Sequence, residues 1–405
     1  MKKKLLIIGG GFAGFWSGMS AVRQSRELNK ENELDITLIN PDNYLTIRPR
    51  LYEVSLTGLR VELDQYLLPL GINQVVGRAD IIDPISRKVT VSTDQGTQNF
   101  GYDYLILASG SQLKGINIPG FKYTFNMDTF NNAQTLEDHL IRLAKNNFTG
   151  NGAKTFVIVG GGLTGLEAAT SIEEKAKLLQ SKYAEAVVDF NVILIERGAH
   201  IADIYASAAQ AYIVDTLAKK QVITMTDTSV TEISTDKIVL SDGTEIATQT
   251  VIWCAGMMAS PLTSFLKGEK DLFGRLQVDQ FLKLPAYEDV IIAGDVANVP
   301  VDEDGNISLM ACQFSMDLGK WAGHNAVNDL FAQELIPYVN NRYVTCLDLG
   351  QDDGLFTTGW DRNLLYKERE GKDIKEQINQ QLIYPGTVEE SLALSMPQLV
   401  NRDDR

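Results

Sequence analysis

The pattern Gly-x-Gly-x-x-Gly occurs twice in this chain, each time directly after a short apolar run and ahead of a helix-forming stretch. Leu5-Leu6-Ile7-Ile8 leads into Gly9-Gly10-Gly11-Phe12-Ala13-Gly14. Thr155-Phe156-Val157-Ile158-Val159 leads into Gly160-Gly161-Gly162-Leu163-Thr164-Gly165. A continuous apolar run of this length suits a strand buried on both faces of a parallel sheet. The first glycine of each set (Gly9, Gly160) permits a tight turn. The second (Gly11, Gly162) lets a pyrophosphate approach the backbone, and the third (Gly14, Gly165) lets helix pack on strand. The helix that begins there turns free N–H groups and the positive end of its dipole toward the phosphates. A helix to about Leu28 and a strand over 35–40 complete the first unit; a helix to about Lys182 and a strand over 191–196 complete the second. One fingerprint alone is weak. Two, each in strand–turn–helix–strand context, predict an α/β protein with two Rossmann-like dinucleotide-binding units.

The residue that closes the second strand of such a unit reads the adenosine ribose. An acid there accepts hydrogen bonds from the ribose hydroxyls and repels a 2′-phosphate. Glu196 has this position in the second unit, which favours NADH over NADPH. Arg197 follows it directly and could accept a 2′-phosphate, so both nucleotides stay open at this point. In the first unit the position holds Asn40, which can hydrogen-bond a ribose without adding charge; Asp42 lies close by.

At 405 residues the chain has room for two or three domains with sizeable cores. Its net charge of -15 argues against nucleic acid as a partner and against general binding to anionic membranes. The three cysteines, Cys254, Cys312 and Cys346, lie far apart and form no CxxC pair, which fits a reducing compartment. The opening Met1-Lys2-Lys3-Lys4 and the apolar run to Ile8 are too short for a signal peptide, and no stretch reaches the roughly 20 apolar residues of a spanning helix. A cytoplasmic protein is expected. His139, His200 and His324 are isolated, and no metal site is expected.

Three further apolar strands end in small residues, which let a backbone pass close to a cofactor. They are Tyr102 to Leu107 before Ala108-Ser109-Gly110, Thr250 to Cys254 before Ala255-Gly256, and Asp289 to Ile292 before Ala293-Gly294-Asp295. In this order, with Asn43-Tyr44, Pro49-Arg50-Leu51-Tyr52-Glu53-Val54 and Gly274 to Asp279, they resemble the two-dinucleotide-binding-domain flavoproteins of the pyridine nucleotide–disulfide reductase superfamily. Within it the chain is most similar to type II NADH:quinone oxidoreductases and their soluble relatives, from Lys4 to about Asn328. The resemblance implies an FAD domain built from 1–120 and 272–330, an NAD(H) domain at 121–271 inserted in it, and a small α/β cap at 331–405. It implies non-covalent FAD against Gly9, Gly11, Gly14, Asn40, Arg50, Ala108, Gly110, Gly294 and Asp295, with NADH against Gly160, Gly162, Gly165, Glu196 and Gly256. Hydride passes from nicotinamide C4 to flavin N5, with reacting atoms about 3–3.5 Å apart. Glu167 is expected beside both rings, in a positioning role or as a proton carrier.

No cysteine precedes Cys254, so the CxxxxC pair of the disulfide reductases is absent and electrons must leave the flavin directly. The acceptor is a quinone, another small oxidant or a protein carrier. The quinone enzymes open the helix over the flavin with Ala-Gln and a second glutamine four positions on. Here Gln313 matches the first, Cys312 replaces the alanine, and Asp317 replaces the second glutamine, a carboxylate that burial would have to neutralise. Cys312 reads as a small buried hydrophobe. The C-terminal region lacks a broad apolar face. Lys367 to Gln381 is mostly polar, and Leu392, Leu394, Met396 and Leu399 are too few for stable interfacial anchoring. Strands at 343–350 and 355–360 are expected to pair in the cap, with Tyr343, Phe356 and Trp360 as core residues and a second subunit as a possible neighbour. Two alternatives remain open: a ferredoxin or rubredoxin reductase, which the acidic surface disfavours, and an NADH sensor like the apoptosis-inducing flavoproteins.

Overall fold

The computed structural model describes residues 2–184, 188–340 and 342–398. Met1 of the opening run and Leu399 of the C-terminal apolar set lie outside the described residues.

From the amino end, β1 (Lys3–Ile8), α1 (Phe12–Glu27), β2 (Leu34–Asn40), β3 (Asn73–Val76) and β4 (Tyr104–Leu107) form a parallel wind. The chain then crosses through β5 (Ser111–Leu113) to α2 (Phe130–Lys145), β6 (Thr155–Val159), α3 (Leu163–Tyr183), β7 (Asn191–Ile195), β8 (Ile223–Met225) and β9 (Thr250–Trp253). It returns through β10 (Met257–Ala259) to β11 (Val290–Ile292) and α4 (Cys312–Leu330). The end of the chain makes β12 (Val344–Asp348), β13 (Gly354–Thr358), β14 (Asn363–Lys367) and α5 (Glu368–Gln377).

Two parallel sheets result. The first runs β11-β4-β1-β2-β3, so a strand from late in the chain completes a sheet begun at its start. The second runs β8-β7-β6-β9. Phe125 bridges to Ile252 at the edge of the second sheet, which places the segment before α2 with that unit. Between the units the two crossings pair antiparallel, Ser111 opposite Ala259 and Leu113 opposite Met257. The fold class is therefore α/β with two Rossmann-like units and a small α/β cap.

The apolar runs bury as expected: Leu5 to Ile8 and Phe156 to Val159 are all buried. Helix α1 carries no charge before Arg23, and every residue from Phe12 to Ser25 is buried. An all-round apolar helix has to lie between layers. It packs on α4 at backbone distance. A Cβ on Gly319 would run into the Ala13 carbonyl, and one on Gly323 into the Ser17 carbonyl. Ser20 Oγ donates to the Lys320 carbonyl at 2.6 Å, and Gln24 Nε2 donates to Asn328 Oδ1 at 2.7 Å.

The cap sheet has three strands rather than the expected pair. The third, β14, pairs with β13 and is mostly exposed, so it carries no alternating apolar signal. Tyr343 stacks on Trp360 with ring centres 4.6 Å apart, and both stack with Phe314. Leu347, Leu349 and Leu355 share one core with α3 and with Leu51, Tyr52, Leu56 and Leu59. The cap thus ties the second unit to a loop of the first. Leu382, Leu394 and Met396 are exposed. Among the described residues no helix is long and apolar enough to cross a membrane, and no acid, histidine and cysteine cluster could hold a metal.

Burial lowers two histidines to about 4, His139 against Phe125 and His324 beside Arg23, whose charge adds to the effect. Both stay neutral when folded and take up a proton near 6.5 when unfolded. Their stabilising contribution is present above pH 6.5 and is lost as pH falls toward 4, by at most about 1.4 kcal/mol per pH unit for each. Urea midpoints should therefore drop between pH 6.5 and 4, with a shallower slope in the H139N/H324N double variant. An equal slope would remove the histidines from the account.

Candidate active site

Each glycine loop has the same local build. Gly9 and Gly160 have φ of +108° and +110°, open only to glycine without strain. A Cβ on Gly14 would strike the Gly9 carbonyl, and one on Gly165 the Gly160 carbonyl. The middle glycines differ: a Cβ on Gly11 or Gly162 would meet nothing within 4 Å. Neither α1 nor α3 has a side-chain N-cap or an acid in its first turn. Two helix N-termini therefore present free N–H groups to open space, which fits a diphosphate in each.

Asn40, the last residue of β2, and Glu196, the first after β7, brace these loops. Gly10 N donates to Asn40 Oδ1 at 2.7 Å, and Gly161 N donates to Glu196 Oε2 at 2.7 Å. Glu196 Oε1 also accepts from Gly198 N at 2.7 Å, so its carboxylate is fixed at the mouth of the second loop with lone pairs to spare. Asn40 uses its amide nitrogen on Asp42, at 3.0 Å. Arg197 is exposed beside this cluster.

Ala108 is buried at the end of β4, and Gly110, Gly256 and Gly294 all have positive φ. Asp295 follows in a 3-10 turn. Its carboxylate accepts from Ser111 Oγ at 2.6 Å and from Ser315 Oγ at 3.1 Å. It also faces Arg48, with Nη1 3.6 Å from Oδ2. From sequence Arg50 is expected against the flavin, and Arg48, two residues before it, carries no such expectation. The structure ties Arg50 to Glu53 at 2.6 Å and to the Tyr384 hydroxyl at 2.7 Å, on the cap side. Arg48 instead binds Ser111, Asp128 and Asp295. Nothing in the Arg-Pro-Arg tripeptide distinguishes the two; only the turn at Arg48–Arg50 aims them apart.

Glu167, in the first turns of α3, is buried and ion-paired to Lys375 at 2.8 Å. Its Oε1 also accepts from the Asp348 backbone N–H at 3.2 Å. Burial pushes the Glu167 carboxyl up, against the downward pull of the Lys375 ammonium. One turn away on α5, Lys372 pairs with Asp348 at 2.7 Å, and the Tyr52 hydroxyl donates to Asp348 at 2.9 Å. The stretch read from sequence as merely polar thus supplies two buried lysines. Their spacing of three on one helix face was the available signal, but their acid partners lie far away in the chain.

On α4, Gln313 spends its amide nitrogen on the Val344 carbonyl of the cap, at 2.8 Å. Asp317 faces Asn340 at 3.2 Å and Lys320 at 3.5 Å rather than the Glu167–Lys375 pair. Burial raises its carboxyl above the usual range, against the pull of Lys320. Burial pushes the Cys312 thiol up to about 11 and the Cys254 thiol to about 12, so both stay protonated at neutral pH.

Two uncapped glycine loops of one build, joined by a paired crossing, with a buried acid next to the second, fit a nucleotide-linked oxidoreductase. The chain belongs to the pyridine nucleotide-disulphide oxidoreductase family, whose model matches residues 3–316. It is 35% identical over 404 residues to an NADH dehydrogenase-like protein of Mycobacterium tuberculosis, covering 98% of this chain and 99% of that one. To the type II NADH:quinone oxidoreductase of Staphylococcus haemolyticus it is 26% identical over 372 residues, 87% of this chain and 89% of the other. In fold it is similar to NDH2 of Plasmodium falciparum solved with NADH: TM-score 0.76, 15% identity, covering 98% and 97% of the two chains.

Removing Lys375 leaves Glu167 buried without a countercharge. K375M should cost about 3–5 kcal/mol in urea unfolding. Adding E167Q should recover most of that loss. Additive effects would mean that the two groups do not interact.

Proposed function

We propose that the protein is an FAD-dependent NADH:acceptor oxidoreductase. In this reading FAD lies in a discontinuous unit (residues 1–120 and 272–330), NADH in the unit between (121–271), and residues 331–405 cap the site. The observation that carries it is the duplicated cradle. Two uncapped helix N-termini, each behind a middle glycine facing open space, sit either side of one antiparallel crossing. The Mycobacterium and Staphylococcus relatives, named for NADH oxidation, support the same reading.

The flavin, when bound, would supply the hydride acceptor and pass electrons to the second substrate. The chain's own groups do the rest. Gly9, Gly11 and Gly14 admit the FAD diphosphate to the α1 N-terminus, and Asp295 accepts from the ribityl hydroxyls. Gly160, Gly162 and Gly165 repeat the cradle for NADH. Ala108, Gly110, Gly256 and Gly294 keep the backbone thin where the two molecules converge. Glu196, held by Gly161 and Gly198, accepts from the ribose hydroxyls and repels a 2′-phosphate. Glu167 holds a proton or a negative charge at the reaction centre, set by Lys375. Gln313, in the first turn of α4, would face the flavin, and Asp317, one turn further on with its carboxyl raised by burial, would stand on the acceptor side. The acceptor is a quinone or another small oxidant.

Anaerobic mixing with NADH should bleach the flavin's visible band, and a small quinone or dye should restore it. A reduced complex indifferent to every acceptor would favour the sensor. G11V should emerge without flavin, since its side chain would fill the phosphate path; a fully yellow variant would refute the cradle. E196A should cut the preference for NADH over NADPH roughly tenfold, the value of one charged hydrogen bond. An unchanged ratio in steady-state assays would clear Glu196 of that role.

A further inference from the structure

Among the described residues one ion pair joins the two nucleotide units directly. Arg48 belongs to the first unit, in the turn after β2. Asp128 belongs to the second: the chain just before it is bonded to β9, with Phe125 N donating to the Val251 carbonyl at 2.8 Å and Trp253 N to the Phe125 carbonyl at 2.7 Å. Helix α2 starts just after it, capped by Thr129. The Arg48 guanidinium donates to Asp128 Oδ1. Its other contacts fall on the crossing between the units: Ser111 Oγ at 2.9 Å and the Ser111 carbonyl at 3.3 Å on β5, and Met257 Sδ at 3.5 Å on β10. Asp128 Oδ2 accepts from the Leu113 backbone N–H at 3.1 Å, again on β5. The same guanidinium lies 3.6 Å from Asp295. One planar cation therefore bridges two carboxylates, one in each unit, across the antiparallel strand pair that links them.

The Asp128 side chain is 9% exposed and that of Asp295 is 15% exposed. Two carboxylates this enclosed need a shared counter-ion, and the fork of an arginine can serve both, where an ammonium acts as a point charge.

We propose that Arg48 is a positioning residue that locks the setting of the NADH unit, through Asp128, to the flavin seat at Asp295. This rests on the reading of the first unit as the flavin site and deepens it. Hydride transfer needs the two rings within a fraction of an ångström of their working separation, and a displacement near 1 Å costs about 10²-fold in rate. Each nucleotide is held by its own unit, so correct contact between them depends on how the units are set against each other. The crossing strands are short, three residues each, and Arg48 is the side chain that braces both.

The test uses the full-length protein as R48M, D128N and R48K. Flavin bleaching by NADH under anaerobic conditions should slow by about 10²-fold in R48M and D128N. NADH affinity, set inside the second unit, should be unchanged. The long-wavelength charge-transfer absorbance of stacked nicotinamide and flavin should weaken, and R48K should recover part of both signals. In the flavin-free proteins, amide hydrogen exchange at 111–113 and 257–259 should be faster in R48M and D128N than in wild type. Wild-type bleaching and charge-transfer absorbance in R48M would overturn the proposal. So would loss of flavin with unchanged exchange at the crossing, since Arg48 would then serve the flavin alone. Wild-type protein that never takes up flavin would defeat the functional reading instead, and the exchange experiment would still decide the lock.

Discussion

Everything in this molecule depends on a close backbone approach made twice. Gly14 lies against the carbonyl of Gly9, and Gly165 against that of Gly160, so closely that a single methyl group would force helix and strand apart. Because these contacts draw α1 and α3 tightly onto their sheets, the helix N-termini point into the open space beside Gly11 and Gly162. The free N–H groups there would be a cost in a helix with no ligand, since no side chain caps either one. The fold leaves them free where an anion can take them up.

The two units are alike in a further way. In each, a residue at the end of the second strand or just past it reaches back to the middle of the glycine loop, Asn40 to Gly10 and Glu196 to Gly161. The hydrogen bond fixes the loop; the two mouths differ in charge, an amide in the first and a carboxylate in the second. The units differ most in what surrounds them. The first is covered by α4 at backbone distance, through Gly319 and Gly323. The second is covered by the cap, through a buried polar set of Glu167, Lys375, Asp348, Lys372 and Tyr52. Ion pairs enclosed to this degree are costly to assemble and costlier to break. They hold the end of the chain against the helix that begins at the second cradle.

Much of the fold was legible because its signals are local. The apolar runs before each glycine set, the glycine spacing and the small residues after β4, β9 and β11 all report on positions a few residues apart. The strand at β14 was missed because it is an exposed edge with no alternation to read. Lys375 was missed because a lysine in a polar helix carries no mark of its partner, which lies on α3 far back in the chain. Arg48 and Arg50 could not be told apart for a similar reason. They flank the same proline, and the direction of each guanidinium is set by a turn and by the carboxylates that await it.

The sequence by itself determined that two glycine loops of one build would form, because glycine alone tolerates the turns and contacts that make them, and those requirements are satisfied within a few residues. It also determined that no cysteine pair would stand in the early loop to carry electrons onward. Only the tertiary structure decided which charged groups meet, buried in one case and half-buried in the other. Glu167 with Lys375, and Arg48 between Asp128 and Asp295, are meetings of distant segments. Their energies depend on how far each set is enclosed, which is fixed only once both units, the crossing strands and the cap have packed.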